Sequence, residues 1–162
     1  MEYKSIIKMF FLMAIINSCK SEKRKCDNAE LNNEIIIKDW GENKIKKEDI
    51  KLYKYDSLFS KKIDSFKIVK FSTYNDKKTI KEYYGSMSII LDKEIVSKGN
   101  YRLILLDSLK YDISNIRILT KTVMIGTREE NMCLIESYKI NNRVSKLGSG
   151  GVQIILKKDY KP

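Results

Sequence analysis

The stretch Tyr101-Arg-Leu-Ile-Leu-Leu-Asp-Ser-Leu-Lys-Tyr-Asp-Ile113 decides the fold. Its first half is a short apolar run, Asp107 and Ser108 are turn formers, and Leu109, Tyr111 and Ile113 then alternate with polar neighbours. A period of two places every second side chain on one face, so the segment reads as a β-hairpin with Asp107 and Ser108 near its tip. Further on the parity slips, because Tyr111 and Ile113 share one face whereas Ile116 and Ile118 fall on the other. A β-bulge at Ser114-Asn115 absorbs the odd residue if all four side chains are buried.

Working outward, Glu136 to Ile140 is followed by Asn141-Asn142 and then Arg143-Val144. Asparagine tolerates the positive φ of a tight two-residue turn, so this is a second hairpin. The last strand is expected at 152–157, behind Gly148-Ser-Gly-Gly151. That glycine stretch lacks a following Gly-Lys-Ser/Thr and a helix, so it reads as a flexible connection and not as a phosphate cradle. Further strands fit 34–40, 66–72 and 87–91, and helix fits only 55–63 and 76–84. Short strands with brief turns imply a mainly β chain, with α+β as the alternative: a single antiparallel sheet domain, a sandwich or a partly closed barrel.

With 162 residues the chain is long enough for one domain with a hydrophobic core and short for two. Lys and Arg outnumber Asp and Glu by 32 to 21, a formal charge of +11 that invites an acidic partner. Nucleic acid is disfavoured, because only Arg24, Arg102, Arg117, Arg128 and Arg143 supply the planar fork that reads phosphates and bases, and the lysines form no stripe. The chain has no histidine, which removes imidazole bases, Ser-His-Asp sets and His-rich metal sites. No cofactor or metal is called for. Asp107, Asp112, Glu129, Glu130 and Glu136 are the acids from which a carboxylate pair for glycan hydrolysis would have to be drawn, and no spacing fixes such a pair. The ten tyrosines fit half-buried strand positions at sheet edges, with a recognition surface as the alternative.

The amino terminus carries a separate message. Lys4 and Lys8 precede the uncharged apolar run 9–16, Asn17-Ser18 leads into Cys19, and Lys20-Ser-Glu-Lys-Arg-Lys25 turns abruptly hydrophilic. A basic start, a short apolar stretch and a small residue at the cut make a secretory signal, and the run is too short to span a bilayer, which takes about 20 apolar residues. Ile16-Asn17-Ser18-Cys19 resembles the lipobox of bacterial lipoproteins: an aliphatic residue, a tolerant position, a small residue and an invariant cysteine. The resemblance implies cleavage between Ser18 and Cys19, a diacylglyceryl thioether on Cys19 and acylation of the new amino group. It also implies outer-membrane placement over inner, since Lys20 replaces the aspartate that favours the inner membrane. The expected organisation is therefore a signal peptide at 1–18, a lipidated cysteine and hydrophilic tether at 19–33, and one β-rich domain at 34–162.

That leaves Cys26 and Cys133, which can pair as a disulfide in an oxidising compartment or remain one loose thiol and one buried small hydrophobe. The function expected from these features is a lipid-anchored envelope protein acting as a non-catalytic binding or structural module that can meet an acidic protein. An immunity lipoprotein that neutralises a toxin is one concrete form. The alternative is an envelope hydrolase using a carboxylate pair on glycan or peptidoglycan.

Overall fold

The computed structural model describes residues 26, 31–41, 45–75, 83–151 and 153–157, with the backbone alone for 147–151. Ser18, Cys19 and the expected helix 76–84, apart from its last two residues, lie outside them. In chain order the strands are β1 (Glu34–Lys38), β2 (Ile50–Tyr55), β3 (Lys62–Phe66), β4 (Ile68–Tyr74), β5 (Ser86–Leu91), β6 (Asn100–Leu105), β7 (Leu109–Ile125), β8 (Arg128–Ile140), β9 (Arg143–Gly151) and β10 (Ile154–Lys157). A 3-10 turn, Lys47–Asp49, precedes β2. The fold is mainly β. It comprises a four-stranded sheet in the order β10-β1-β5-β4 and a six-stranded sheet in the order β3-β2-β6-β7-β8-β9. Every pairing is antiparallel except β1 with β10, which run parallel.

The two sheets enclose one core, as in a β-sandwich. Ile35, Ile37, Met87, Ile89, Ile154 and Leu156 come from the smaller sheet, and Leu52, Tyr101, Leu103, Leu105, Tyr111, Ile113, Ile135, Tyr138 and Ile140 from the larger. In β6 the buried residues are Tyr101, Leu103 and Leu105, the alternation that a sheet buried on one face requires. The core begins at Leu31, ahead of Glu34, where Leu31 N–H donates to Ile95 O at 2.7 Å.

The decisive hairpin joins β6 to β7 with Leu105 opposite Leu109, and Leu106 and Asp107 adopt positive φ in its turn. The register of β7 shifts between Ser114 and Arg117, where Asn115 sits at φ 51°, so the parity slip is taken up by an irregularity at the expected place. Asn141 and Asn142 both have positive φ between Ile140 and Arg143, which pair across the turn. That is the backbone of a type I′ hairpin. The Asn141 side chain also accepts from Asp112 N–H and donates to Lys110 O, satisfying β7 where β8 has ended.

Two expectations of local structure are corrected. Residues 55–63 are not a helix but the end of β2, a turn in which Asp56 caps Ser60, and the start of β3. Asp56 and Ser60 stabilise a turn more readily than helix interior, and pairing with β2 overrides the local helical pattern. Residues 148–151 are not a flexible connection but the end of β9, with Gly151 opposite Ile135 across a register shift. Once β8 offers a free edge, the glycine backbone supplies ladder hydrogen bonds although it brings no side chain.

Two buried tyrosines staple the sandwich. Tyr101 Oη–H donates to Val96 O at 2.8 Å and its oxygen accepts from Val96 N–H at 2.9 Å, so one hydroxyl satisfies both backbone groups of a residue in the loop before β6. Tyr138, on β8 of the larger sheet, does the same for Ile155: its hydroxyl donates to Ile155 O and accepts from Ile155 N–H. This second clamp blunts the outer edge of β10, an edge that would otherwise present unpaired backbone groups. Tyr101, Tyr111 and Tyr138 are thus fully buried, not half-buried at sheet edges.

Candidate functional site

A groove of about 640 Å³ opens where β3 leaves β2 and the chain crosses to the other sheet as β4. β2 pairs with β3 only from Leu52, opposite Phe66, so Ile50 and Lys51 extend past the end of their neighbour. Its floor is apolar, from Ile50, Leu52, Phe66 and Ile68. Its rim is cationic: Lys47, Lys51, Lys62 and Lys67 face one carboxylate, Glu48.

The lysines are held in different ways. Lys51 Nζ donates to Asp107 Oδ1 at 2.6 Å, and the hydrogen bond and charge of Asp107 hold its ammonium above the ordinary lysine value. Lys47 Nζ donates to Val69 O at 3.3 Å. Lys62 Nζ lies 4.5 Å from the centre of the Tyr53 ring, where the electron-rich face attracts a cation. Among the described residues, the ammonium groups of Lys62 and Lys67 have no carboxylate partner, although Lys67 N–H donates to Asp92 Oδ1 at 3.0 Å. The groove therefore combines an apolar floor with two ammonium groups open to an incoming anion.

Next to Tyr53 on the outer face of the larger sheet stands its cross-strand partner Arg102. Arg102 grips Asp112 with two parallel bonds, Nε to Oδ1 at 2.6 Å and Nη2 to Oδ2 at 2.7 Å. Its guanidinium also lies 4.9 Å from the Tyr55 ring and 5.3 Å from the Phe59 ring. The Asp112 hydrogen bonds hold Arg102 above its ordinary value. This planar, bidentate and aromatic-backed pair ties β6 to β7 and stiffens the sheet beside the groove.

The acids named from sequence do not gather in the groove. Asp107 is in the β6–β7 turn against Lys51, Asp112 is gripped by Arg102, Glu129 and Glu130 are exposed on β8 next to its first residue, and Glu136 is exposed further along the same strand. Among the described residues, the two carboxyls whose titration is displaced, Asp56 by Ser60 and Asp64 by Lys93, are both held low. A general acid needs the opposite displacement. Among the described residues no group of three acids or cysteines is placed to hold a metal ion.

The structure does bring together the two remaining cysteines. Cys26 and Cys133 form a disulfide with Cα atoms 5.7 Å apart and a sequence separation of 107. Thr120 is the register partner of Cys133, and its hydroxyl lies 3.1 Å from Cys26 Sγ. The segment following Cys19 is thereby fastened to the long β7–β8 pair.

The groove was not legible in the sequence, since Lys47, Lys51, Lys62 and Lys67 are spread over a turn, two strands and a connection. The available signal was the approach of Lys62 on β3 to the Tyr53 ring on β2, which only a register makes visible. Together these features define a two-sheet β protein with a cationic groove and a stapled amino-terminal segment. Comparison with protein-family models, curated proteins and solved structures yields no match.

Proposed function

We propose that the chain is a lipid-anchored binding module of the bacterial cell envelope, without catalytic activity, whose lysine-rimmed groove takes an acidic protein partner. The groove carries this reading: an apolar floor rimmed by Lys47, Lys51, Lys62 and Lys67 complements an extended segment that presents both apolar and carboxylate side chains. The anchor rests on Ile16-Asn17-Ser18-Cys19, with cleavage after Ser18 and acyl chains on Cys19. Two or three acyl chains on one cysteine hold a protein durably where one holds it only reversibly. The Cys26–Cys133 disulfide supports an oxidising compartment outside the cytosol. A toxin neutralised at the membrane is one partner of the required charge.

Two measurements test this reading. Intact mass of the protein from its host membranes is expected to show loss of residues 1–18 and gain of acyl groups. An uncut, unacylated chain overturns the anchor. Capture from the same membrane extract is expected to retain an acidic protein that Lys62→Glu/Lys67→Glu loses, and capture unchanged by that double substitution overturns the groove.

A further inference from the structure

The β7–β8 pair is far longer than its neighbours. β6 supports β7 only from Leu109 to Ile113, and β9 supports β8 only from Ile135 to Ile140. Beyond those limits, residues 119–134 form a two-stranded arm. Outside the turn at 126–127 every residue from Leu119 to Leu134 belongs to this ribbon, and none is fully buried, whereas Ile116 and Ile135 at its root belong to the core and Ile118 packs against it. A two-stranded ribbon is marginal by itself in water, so an arm of this length calls for outside support.

The arm ends on apolar residues. Met124 and Ile125 are 64% and 50% exposed, and Ile125 pairs with Arg128 across the turn Gly126-Thr127, in which Gly126 has φ 63°. Solvated hairpin tips are ordinarily polar, and here the two large apolar side chains sit against the turn itself.

The disulfide relates this tip to the anchor. Cys19 precedes Cys26 by seven residues, a span of at most about 25 Å even when fully extended. From the Thr120–Cys133 level to Ile125 is five residues, about 17 Å along a strand. The arm from staple to tip is thus shorter than the tether from staple to lipid. A bilayer that holds Cys19 must lie within tether reach of the arm, and the arm has the length to touch it.

We propose that Met124 and Ile125 form a second, shallow membrane contact, entering the headgroup region of the same bilayer that holds the acyl chains of Cys19. The inference rests on the lipid-anchored reading. Insertion stops at the interface because Arg128, Glu129 and Glu130 stand directly opposite Ile125, Met124 and Val123. Arg128, level with Ile125, meets lipid phosphates, while Glu129 and Glu130, one and two levels back from the tip, stay hydrated and hold the ribbon behind them out of the bilayer. A lipid at the end of a tether alone leaves orientation free, and a second contact fixes it. With the arm directed at the membrane, the β6–β7 turn and the start of β2 lie at the opposite end of the strands, so the mouth of the lysine groove there faces away from the bilayer.

The test uses the full lipoprotein reconstituted in phosphatidylcholine/phosphatidylglycerol vesicles containing brominated lipid. The native Trp40 is fully buried in the core and supplies a constant background. Ile125→Trp is expected to give blue-shifted emission quenched about twofold by bromolipid, as for an indole at headgroup level. Val144→Trp, exposed on β9 and level with Ser114 through Lys139, stands about 37 Å behind the tip and is expected to stay unquenched. Protein that floats with the vesicles while its Ile125→Trp indole remains red-shifted and unquenched overturns the second contact and leaves the anchor standing. Equal quenching at both positions also overturns it, because the arm then has no preferred direction. Protein that fails to float overturns the anchored reading, and this inference with it.

Discussion

Removing the Cys26–Cys133 staple by Cys26→Ser/Cys133→Ser tests how the amino-terminal segment is bound to the fold. The bond closes a loop of 107 residues that contains β1 to β7 and the beginning of β8. In the unfolded chain such a closure removes conformations, and the chain-entropy relation for 107 residues gives about 4.8 kcal/mol at 25 °C. The native cost of losing the bond is small by comparison: Cys26 is half-buried, and Cys133 and Thr120, which its sulfur meets, lie on a partly solvated arm. For a domain of this size Tm moves by about 2–4 °C per kcal/mol, so the double variant is expected to melt about 10–19 °C below the oxidised protein. Circular-dichroism melts should be run on the oxidised protein, on the same protein with dithiothreitol, and on the double variant. The last two are expected to coincide, and reductant is expected to leave the variant unchanged. A double variant melting within about 2 °C of the oxidised protein would refute the reasoning, because the loop closure would then contribute less than about 1 kcal/mol.

The clamp at Tyr101 gives two further predictions. A Cβ added at Gly99 would stand 2.2 Å from Tyr101 Oη and 2.3 Å from Cζ of a ring that is fully buried, so Gly99→Ala is expected to cost about 2–3 kcal/mol in urea unfolding, and a loss below about 0.5 kcal/mol would contradict it. Tyr101→Phe strands Val96 N–H, while Val96 O keeps its bond from Gly99 N–H at 3.1 Å, at a cost of about 1–3 kcal/mol. Burial pushes the Tyr101 hydroxyl up from 10.0 to about 12. Because the folded value is raised, the stability tied to the neutral phenol is complete below pH 10 and is lost as pH rises toward about 12. The stability difference between the native protein and Tyr101→Phe, followed by urea unfolding across that window, is therefore expected to shrink with rising pH, and a constant difference would count against the clamp.

The strands around Tyr101–Ile113 were legible because alternation is a local property that burial on one face imposes residue by residue, and Asn141-Asn142 was legible because few residues accept two successive positive φ values. The bulge at Asn115 followed from the same arithmetic. Where burial did not dictate the pattern, the sequence misled: residues 55–63 carry a helical spacing that pairing with β2 overrides, and the glycines at 148–151 become strand only because β8 offers them an edge. Chemistry that lives in one short motif, the Ile16-to-Cys19 pattern, needs no fold to be read, and it remains an expectation about processing.

By itself, then, the sequence determined the β class, its turns and the absence of imidazole chemistry, since each of these depends on neighbours along the chain or on composition. Only the tertiary structure decided that Cys26 meets Cys133, that four lysines from separate elements rim one groove, and that Met124 and Ile125 crown an arm that runs past its neighbouring strands. Those are properties of strand order and register, which are fixed by contacts between residues tens of positions apart and leave no local periodicity to read.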